Sequence, residues 1–240
     1  MKYTISDIHG MFDKFLQLLE KINFSDTDEL YIIGDVIDRG PKPVETIEYI
    51  MGKPNMHLLM GNHEHMMLTW NNAYLQRRTE PYELLEAKRV WMLNGGKVTL
   101  KQFQKLSLEN KIRIIRFLIR CPYYVIIDKF ILVHSGIRVD AKFKDTSVEE
   151  IMKQQSVEDL LESRGIFYNN KAIEAYTIIF GHTPTEFICK DRKENCLSPL
   201  NIWHDRTFKD KIGIDCGACF EKDGGMLACL RLDDMQEFYV

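Results

Sequence analysis

Short apolar runs recur along the chain, each giving way within a residue or two to Gly, Asp or His. They occupy residues 3–5, 30–33, 57–60, 130–133, 177–180 and 212–214, and lead into Asp7, Gly34, Gly61, His134, Gly181 and Asp215. Runs of three to five residues that do not alternate with polar ones suit strands buried on both faces of a sheet. Between the first two runs, Phe12, Phe15, Leu16, Leu19 and Ile22 fall at offsets 0, 3, 4, 7 and 10, a single stripe along a helix. A second helix is predicted after Pro41 and Pro43, with Val44, Ile47 and Met51 on one face and the prolines near its first turn. Strand, helix, strand, helix, strand is the signature of βαβ units, whose polar loops converge on one crevice at the carboxyl ends of the strands.

Two longer stretches, 66–119 and 140–176, interrupt this series and read as mainly helical. Ser147 with Glu150 fits a capping box, and Ser156 with Asp159 is a weaker version of the same start signal. Asn94-Gly95-Gly96 breaks the first stretch as a turn. Without a repeat, a low-complexity segment or a Gly/Ser-rich linker, residues 1–240 are expected to form a single α/β domain. The segment 191–210 is polar and irregular and suggests no role.

At 45% hydrophobic residues the chain can enclose a substantial core. Its 32 basic and 35 acidic residues are scattered, for a net charge of −3, so no basic block marks an obligate nucleic-acid partner or a membrane surface. No cationic leader precedes the first run and no long apolar span follows, which predicts a cytoplasmic protein with no membrane partner. The six cysteines are too sparse for a disulfide framework and are expected to be reduced; Cys216 and Cys219 form a C-x-x-C without a second pair at zinc-ribbon spacing.

Candidate chemistry changes the picture most. After the strands stand Asp7-Ile8-His9-Gly10, Gly34-Asp35-Val36-Ile37-Asp38-Arg39-Gly40, Gly61-Asn62-His63-Glu64, His134-Ser135-Gly136 and Gly181-His182-Thr183. Any one of these could be a turn or a helix cap. Turns need no histidine, however, and carboxylate oxygen with imidazole nitrogen is a donor set for divalent first-row ions. Ser135 lacks the G-x-S-x-G setting of a hydrolase nucleophile. His57, His65 and His204 default to surface or packing positions, Asp215 to loop closure, and the region of Trp70, Trp91 and Leu93 to helical core.

In order and spelling these clusters resemble the phosphoprotein phosphatase group of the calcineurin-like metallophosphoesterases, above all small bacterial and phage serine/threonine phosphatases. The likeness runs from Asp7 to about Leu232, and G-D-x-x-D-R-G followed by G-N-H-E is its most specific part. It implies a four-layer α/β/β/α sandwich with helical insertions walling the substrate side. It implies two divalent ions, manganese first, with iron, zinc, cobalt or magnesium as alternatives. Asp7, His9 and Asp35 would hold one ion, and Asp35, Asn62, His134 and His182 the other. His63 would be the general acid, oriented by Asp38, while Arg39 and, on a looser match, Arg164 would bind substrate phosphate beside Asn62.

Water activated between two such ions would attack phosphorus in line, and the departing alcohol would take a proton from His63. The implied substrate is a phosphoprotein or phosphopeptide. A symmetrical dinucleoside tetraphosphate hydrolase of the same superfamily is the alternative. Its pattern typically lacks the aspartate at 38 and carries Asp after G-N-H, so Asp38 and Glu64 favour the protein phosphatase. Gly181-His182-Thr183-Pro184 disfavours the nuclease and phosphodiesterase branches, which usually show Gly-His-x-His. A non-enzymatic phosphopartner-binding relative would be expected to have lost a ligand or the acid, and none is missing. Met60 stands where many protein phosphatases carry Arg, and Ser135 where Ala is usual. The oligomeric state is left open.

Overall fold

The computed structural model describes residues 1–75, 81–140, 143, 146–194, 196, 198 and 200–240, without the side chains of 73–75 and 81. Small parts of both long stretches and of the polar segment 191–210 therefore lie outside the described residues.

All six apolar runs form strands. The first sheet holds β1 (Lys2–Ile5), β2 (Glu29–Ile32) and β3 (Met56–Leu58) in parallel, extended by antiparallel β9 (Ala228–Arg231) and β10 (Glu237–Tyr239) in the order β10-β9-β1-β2-β3. The second runs β4-β5-β6-β8-β7, with β5 (Phe130–Val133), β6 (Thr177–Phe180) and β8 (Lys211–Gly213) parallel, and β4 (Tyr124–Ile127) and β7 (Trp203–His204) antiparallel at its edges. β4 joins β5 through Asp128-Lys129, a two-residue hairpin loop with Asp128 in the left-handed region at φ 52°.

Three cores fix the layers. Ile33, Leu59 and Leu230 of the first sheet pack with Ile127, Leu132, Ile179 and Ile212 of the second, so the sheets lie face to face. The outer face of the first packs on α1 (Phe12–Lys21), α2 (Pro43–Met51), α3 (Asn62–Leu75), α4 (Pro81–Leu93), α5 (Lys97–Lys105) and α6 (Leu108–Ile119). The outer face of the second packs on α7 (Val148–Lys153), α8 (Val157–Glu162), α9 (Gly165–Tyr168) and α10 (Thr185–Asp191). The result is the expected α/β/β/α sandwich, with the first interrupting stretch mainly helical where described and the second, expected to be mainly helical, broken into the three short helices α7 to α9 with irregular chain between and after them.

Local signals hold with some reversals. Pro43 opens α2, and residues 94–96 turn between α4 and α5. Ser156 and Asp159, the weaker start signal, form the full reciprocal capping box, whereas at α7 the recorded cap is Ser147 accepting from the Glu150 amide. Leu93, expected in the core, is exposed at the end of α4. The expectation of six reduced cysteines fails at one pair, because Cys189 and Cys196 are disulfide-bonded. The chain turns back after α10, with the Glu194 amide donating to the Cys189 carbonyl, and this reversal returns Cys196 to Cys189. Cys121, Cys216, Cys219 and Cys229 are free. No helix among the described residues is long and apolar enough to cross a membrane.

Candidate metal centre

The loops leaving β1, β2, β3, β5 and β6 bring every predicted ligand to one end of the sandwich, where all are buried. Six residues there adopt left-handed backbone: Asp7 (φ 52°), His9 (46°), Asp35 (54°), Asp38 (70°), Arg39 (61°) and His182 (64°). That conformation costs a non-glycine residue on the order of 1 to 2 kcal/mol. Interlocked main chain holds it: Asp7 N–H donates to Gly34 O, His9 N–H to Asp35 O, Gly10 N–H to Val36 O and Gly40 N–H to His9 O. Two glycines are sterically required, since a Cβ on Gly61 would lie 2.3 Å from Asp35 and one on Gly181 2.2 Å from Asp7 Oδ2.

Glu64, in the first turn of α3, shapes the longest loop. Its buried carboxylate accepts from the backbone amides of Asp35 (2.7 Å), Val36 (2.9 Å), Ile37 (3.2 Å) and Gly61 (3.2 Å), two on each oxygen. Glu64→Gln would turn an NH₂ toward two of these donors, at about 1 to 3 kcal/mol for each buried donor left unsatisfied. The expected loss in urea denaturation is therefore about 2 to 6 kcal/mol, and an unchanged midpoint would contradict this account of Glu64.

His63 is fully buried, with Nδ1 2.7 Å from Asp38 Oδ2. Asp38 is itself fixed, accepting from Trp91 Nε1 at 2.8 Å and from the Thr99 hydroxyl at 2.5 Å, while its amide donates to Thr99 Oγ1 at 2.9 Å. Trp91 is core, as expected, and also holds Asp38 in place. Arg39 spans the mouth, with Nη1 2.7 Å from His9 Nε2 and Nη2 3.0 Å from His63 Nε2.

The ring nitrogens test whether these residues suit metal ions. His9 Nδ1 donates to Ile37 O (3.0 Å) and His134 Nδ1 to Ile33 O (2.9 Å), so each presents a bare Nε2 to the centre. His9 Nε2 faces Asp35 Oδ2 at 3.6 Å and Asp7 Oδ1 at 3.9 Å; His134 Nε2 faces Asp35 Oδ1 at 3.5 Å. Asn62 turns its amide oxygen to within 2.9 Å of that same nitrogen. Carboxylate, amide oxygen and bare nitrogen are all acceptors, a conflict that a cation among them resolves; otherwise the amide must rotate to donate to Asp35 at 3.0 and 3.2 Å. Burial pushes the Asp35 carboxyl well above its ordinary pKa and the His9 imidazole well below its own, because neither charged form is solvated there. The residues fit a pair of divalent ions.

Two sets of donor atoms lie within 4.8 Å of one another, His9–Asp35–His63 and Asp35–His134–His182, with Asp35 in both. The first differs from the predicted set, which has Asp7 in place of His63. His63 Nε2 is 3.8 Å from Asp35 Oδ2, and the Nδ1 contact with Asp38 is compatible with either a ligand or an acid. Asp7 also fixes the rest of the site, its Oδ2 accepting from the His182 amide at 3.0 Å.

Arg164 caps α9 and is exposed; its charge reaches His182 and Asp215. Ser135 is no nucleophile but a tether for this segment: its amide donates to Leu160 O, and its Oγ accepts from Ser163 N–H at 2.8 Å. Met60 lies in the core, so its departure from the family pattern does not touch the site. Asp215 closes its loop by accepting from Gly217 N–H at 2.9 Å. His57 pairs with Glu29 and His204 with Glu237 on the surface. The supports that sequence reading missed are Thr99, Trp91 and the loop-holding role of Glu64, none of which carries a local signal.

The pattern of the calcineurin-like phosphoesterase family matches residues 3–215. The chain belongs to that family. Curated relatives of this phosphoesterase include symmetrical bis(5'-nucleosyl)-tetraphosphatases of Yersinia pestis (26% identical, over 98% of this chain and 90% of that protein) and Proteus mirabilis (25%, over 98% and 96%). Among solved structures, a protein provisionally named a diadenosine tetraphosphatase superposes with a TM-score of 0.63 at 16% identity, over 100% of this phosphoesterase and 92% of that chain. A serine/threonine phosphatase from Saccharomyces cerevisiae superposes with a TM-score of 0.54 at 14% identity, over 100% and 78%. A cold-active protein-tyrosine phosphatase of Shewanella gives 0.54 at 17%, over 99% and 79%. At such identities the structures speak for the fold alone.

Proposed function

We propose that this phosphoesterase hydrolyses symmetrical dinucleoside tetraphosphates at the centre of the phosphate chain, releasing two nucleoside diphosphates. The observation that carries the reading is the match over nearly the full length of both this chain and the tetraphosphatases. Of the two features favouring a phosphoprotein substrate, Glu64 is taken up by backbone amides and weighs less in the fold, while Asp38 keeps its weight through His63.

Asp7, His9, Asp35, Asn62, His134 and His182 would hold two divalent ions, manganese first, which when bound supply an activated water and Lewis acidity at the phosphoryl oxygens. Arg39 would leave the two imidazoles for a phosphate oxygen, with Arg164 binding a neighbouring one. That movement exposes His63 Nε2, so a proton held there can pass to the leaving oxygen while Asp38 keeps the ring aimed. Phe220, half exposed with its ring 6.0 Å from the Arg39 guanidinium, offers a face for a nucleobase.

Phosphomonoester hydrolysis is the second reading, favoured by the His63–Asp38 pair and its two supports. Such an acid matters most for a poor, alcohol-like leaving group. Metal-stripped, manganese-reloaded protein assayed on a dinucleoside tetraphosphate and a phosphoserine peptide side by side separates the two. The expected result is preferential cleavage of the dinucleotide to diphosphates; faster release of phosphate from the peptide would overturn the first reading in favour of the second.

A further inference from the structure

Four histidines face the centre, and three have one ring nitrogen tied to the scaffold: His9 to Ile37 O, His63 to Asp38 and His134 to Ile33 O. His182 is the exception. Its Nε2 is buried and has no hydrogen-bond partner among the described residues. A carboxylate stands just beyond reach, with Glu162 Oε2 at 3.9 Å. Glu162 is the last residue of α8, on the segment that Ser135 tethers next to Arg164, and its side chain is half exposed. A rotamer change would close the gap.

We infer that Glu162 is a positioning residue for the metal centre. On this assignment, which rests on the two-ion reading above, its carboxylate accepts the Nε2–H of His182 and leaves Nδ1 as the donor to the ion shared with Asp35, Asn62 and His134. A ligating imidazole whose outer N–H meets a carboxylate is held in one tautomer and donates more strongly, and loss of such a partner costs about 10- to 100-fold in metal affinity. His65, one turn into α3 and half buried, feels the same carboxylate and is the competing partner.

Two measurements on the full chain test the assignment. Manganese titration followed by electron paramagnetic resonance should show two ions bound by the wild type. Glu162→Ala should weaken the second by about 10- to 100-fold and leave the first unchanged. Glu162→Gln, whose amide oxygen accepts the same hydrogen, should recover most of the loss. In zinc-loaded, ¹⁵N-histidine-labelled protein, long-range proton–nitrogen correlation should show His182 protonated at Nε2 and metal-bound at Nδ1. Unchanged second-site affinity in Glu162→Ala, or a His182 proton on Nδ1, overturns the role of Glu162 while two bound ions leave the hydrolase reading standing. A wild-type chain that binds no ions overturns both.

Discussion

Replacing Asp35 by Asn is expected to lower kcat/KM by about 10³-fold or more and to reduce bound manganese from two ions to at most one. Asp35 is the one residue common to both sets of donor atoms, and Asp7 does not replace it, because one of its oxygens faces His9 while the other is taken by the His182 amide. The several kcal/mol that a metal pair contributes to transition-state stabilisation corresponds, at about 1.4 kcal/mol per decade, to three decades or more. The variant should still fold. Burial already raises the Asp35 pKa, so removing its charge relieves a cost in the metal-free protein, and Asn keeps an oxygen to accept the His63 amide bonded at 3.0 Å. Metal content after dialysis, kinetics and thermal unfolding on the same preparation check this; retained turnover with two ions bound would remove Asp35 from its bridging position.

The second large effect depends on substrate. His63→Asn should slow hydrolysis of an alkyl phosphate such as a phosphoserine peptide by about 10² to 10⁴-fold, the range for losing a positioned proton donor. An aryl phosphate or a dinucleoside tetraphosphate, whose leaving group departs with far less need of a proton, should lose under about tenfold on the same argument. The ratio of the losses thus reads the role of His63 directly. Equal losses on all three substrates would instead point to His63 as a ligand, the position suggested by its place beside His9 and Asp35.

What could be read from the sequence follows from how local the cause is. β1, β5 and β6 betray themselves because strands covered on both faces are apolar nearly throughout, and His9, His134 and His182 because a turn has no need of histidine, whereas Asp7 and Asn62 are ordinary turn residues that only the family resemblance marks. β7 and β10 are short edge strands carrying His204 and Glu237, a polar pair indistinguishable in sequence from loop. β9 continues past the last crevice loop and carries Arg231, so it ends without a motif to mark it. Trp91 and Thr99 reach Asp38 from 53 and 61 residues away, a distance at which no spacing rule operates. The bond between Cys189 and Cys196 depends on the chain reversing after α10, and only polarity marks that segment in the sequence. What Asp38 and Glu64 hold is likewise hidden, because a motif records which residues recur and not what each one touches.

The left-handed backbone at six site residues has a consequence for the life of the protein in a cell. Strained main chain and crowded buried acceptors burden the folded state alone, and an ion that binds only the folded state offsets that burden in proportion to its free concentration. Scarcity of the ion would then lower the steady-state amount of this phosphoesterase as well as its rate, since a larger unfolded fraction is exposed to proteases. Metal supply would set how many copies survive.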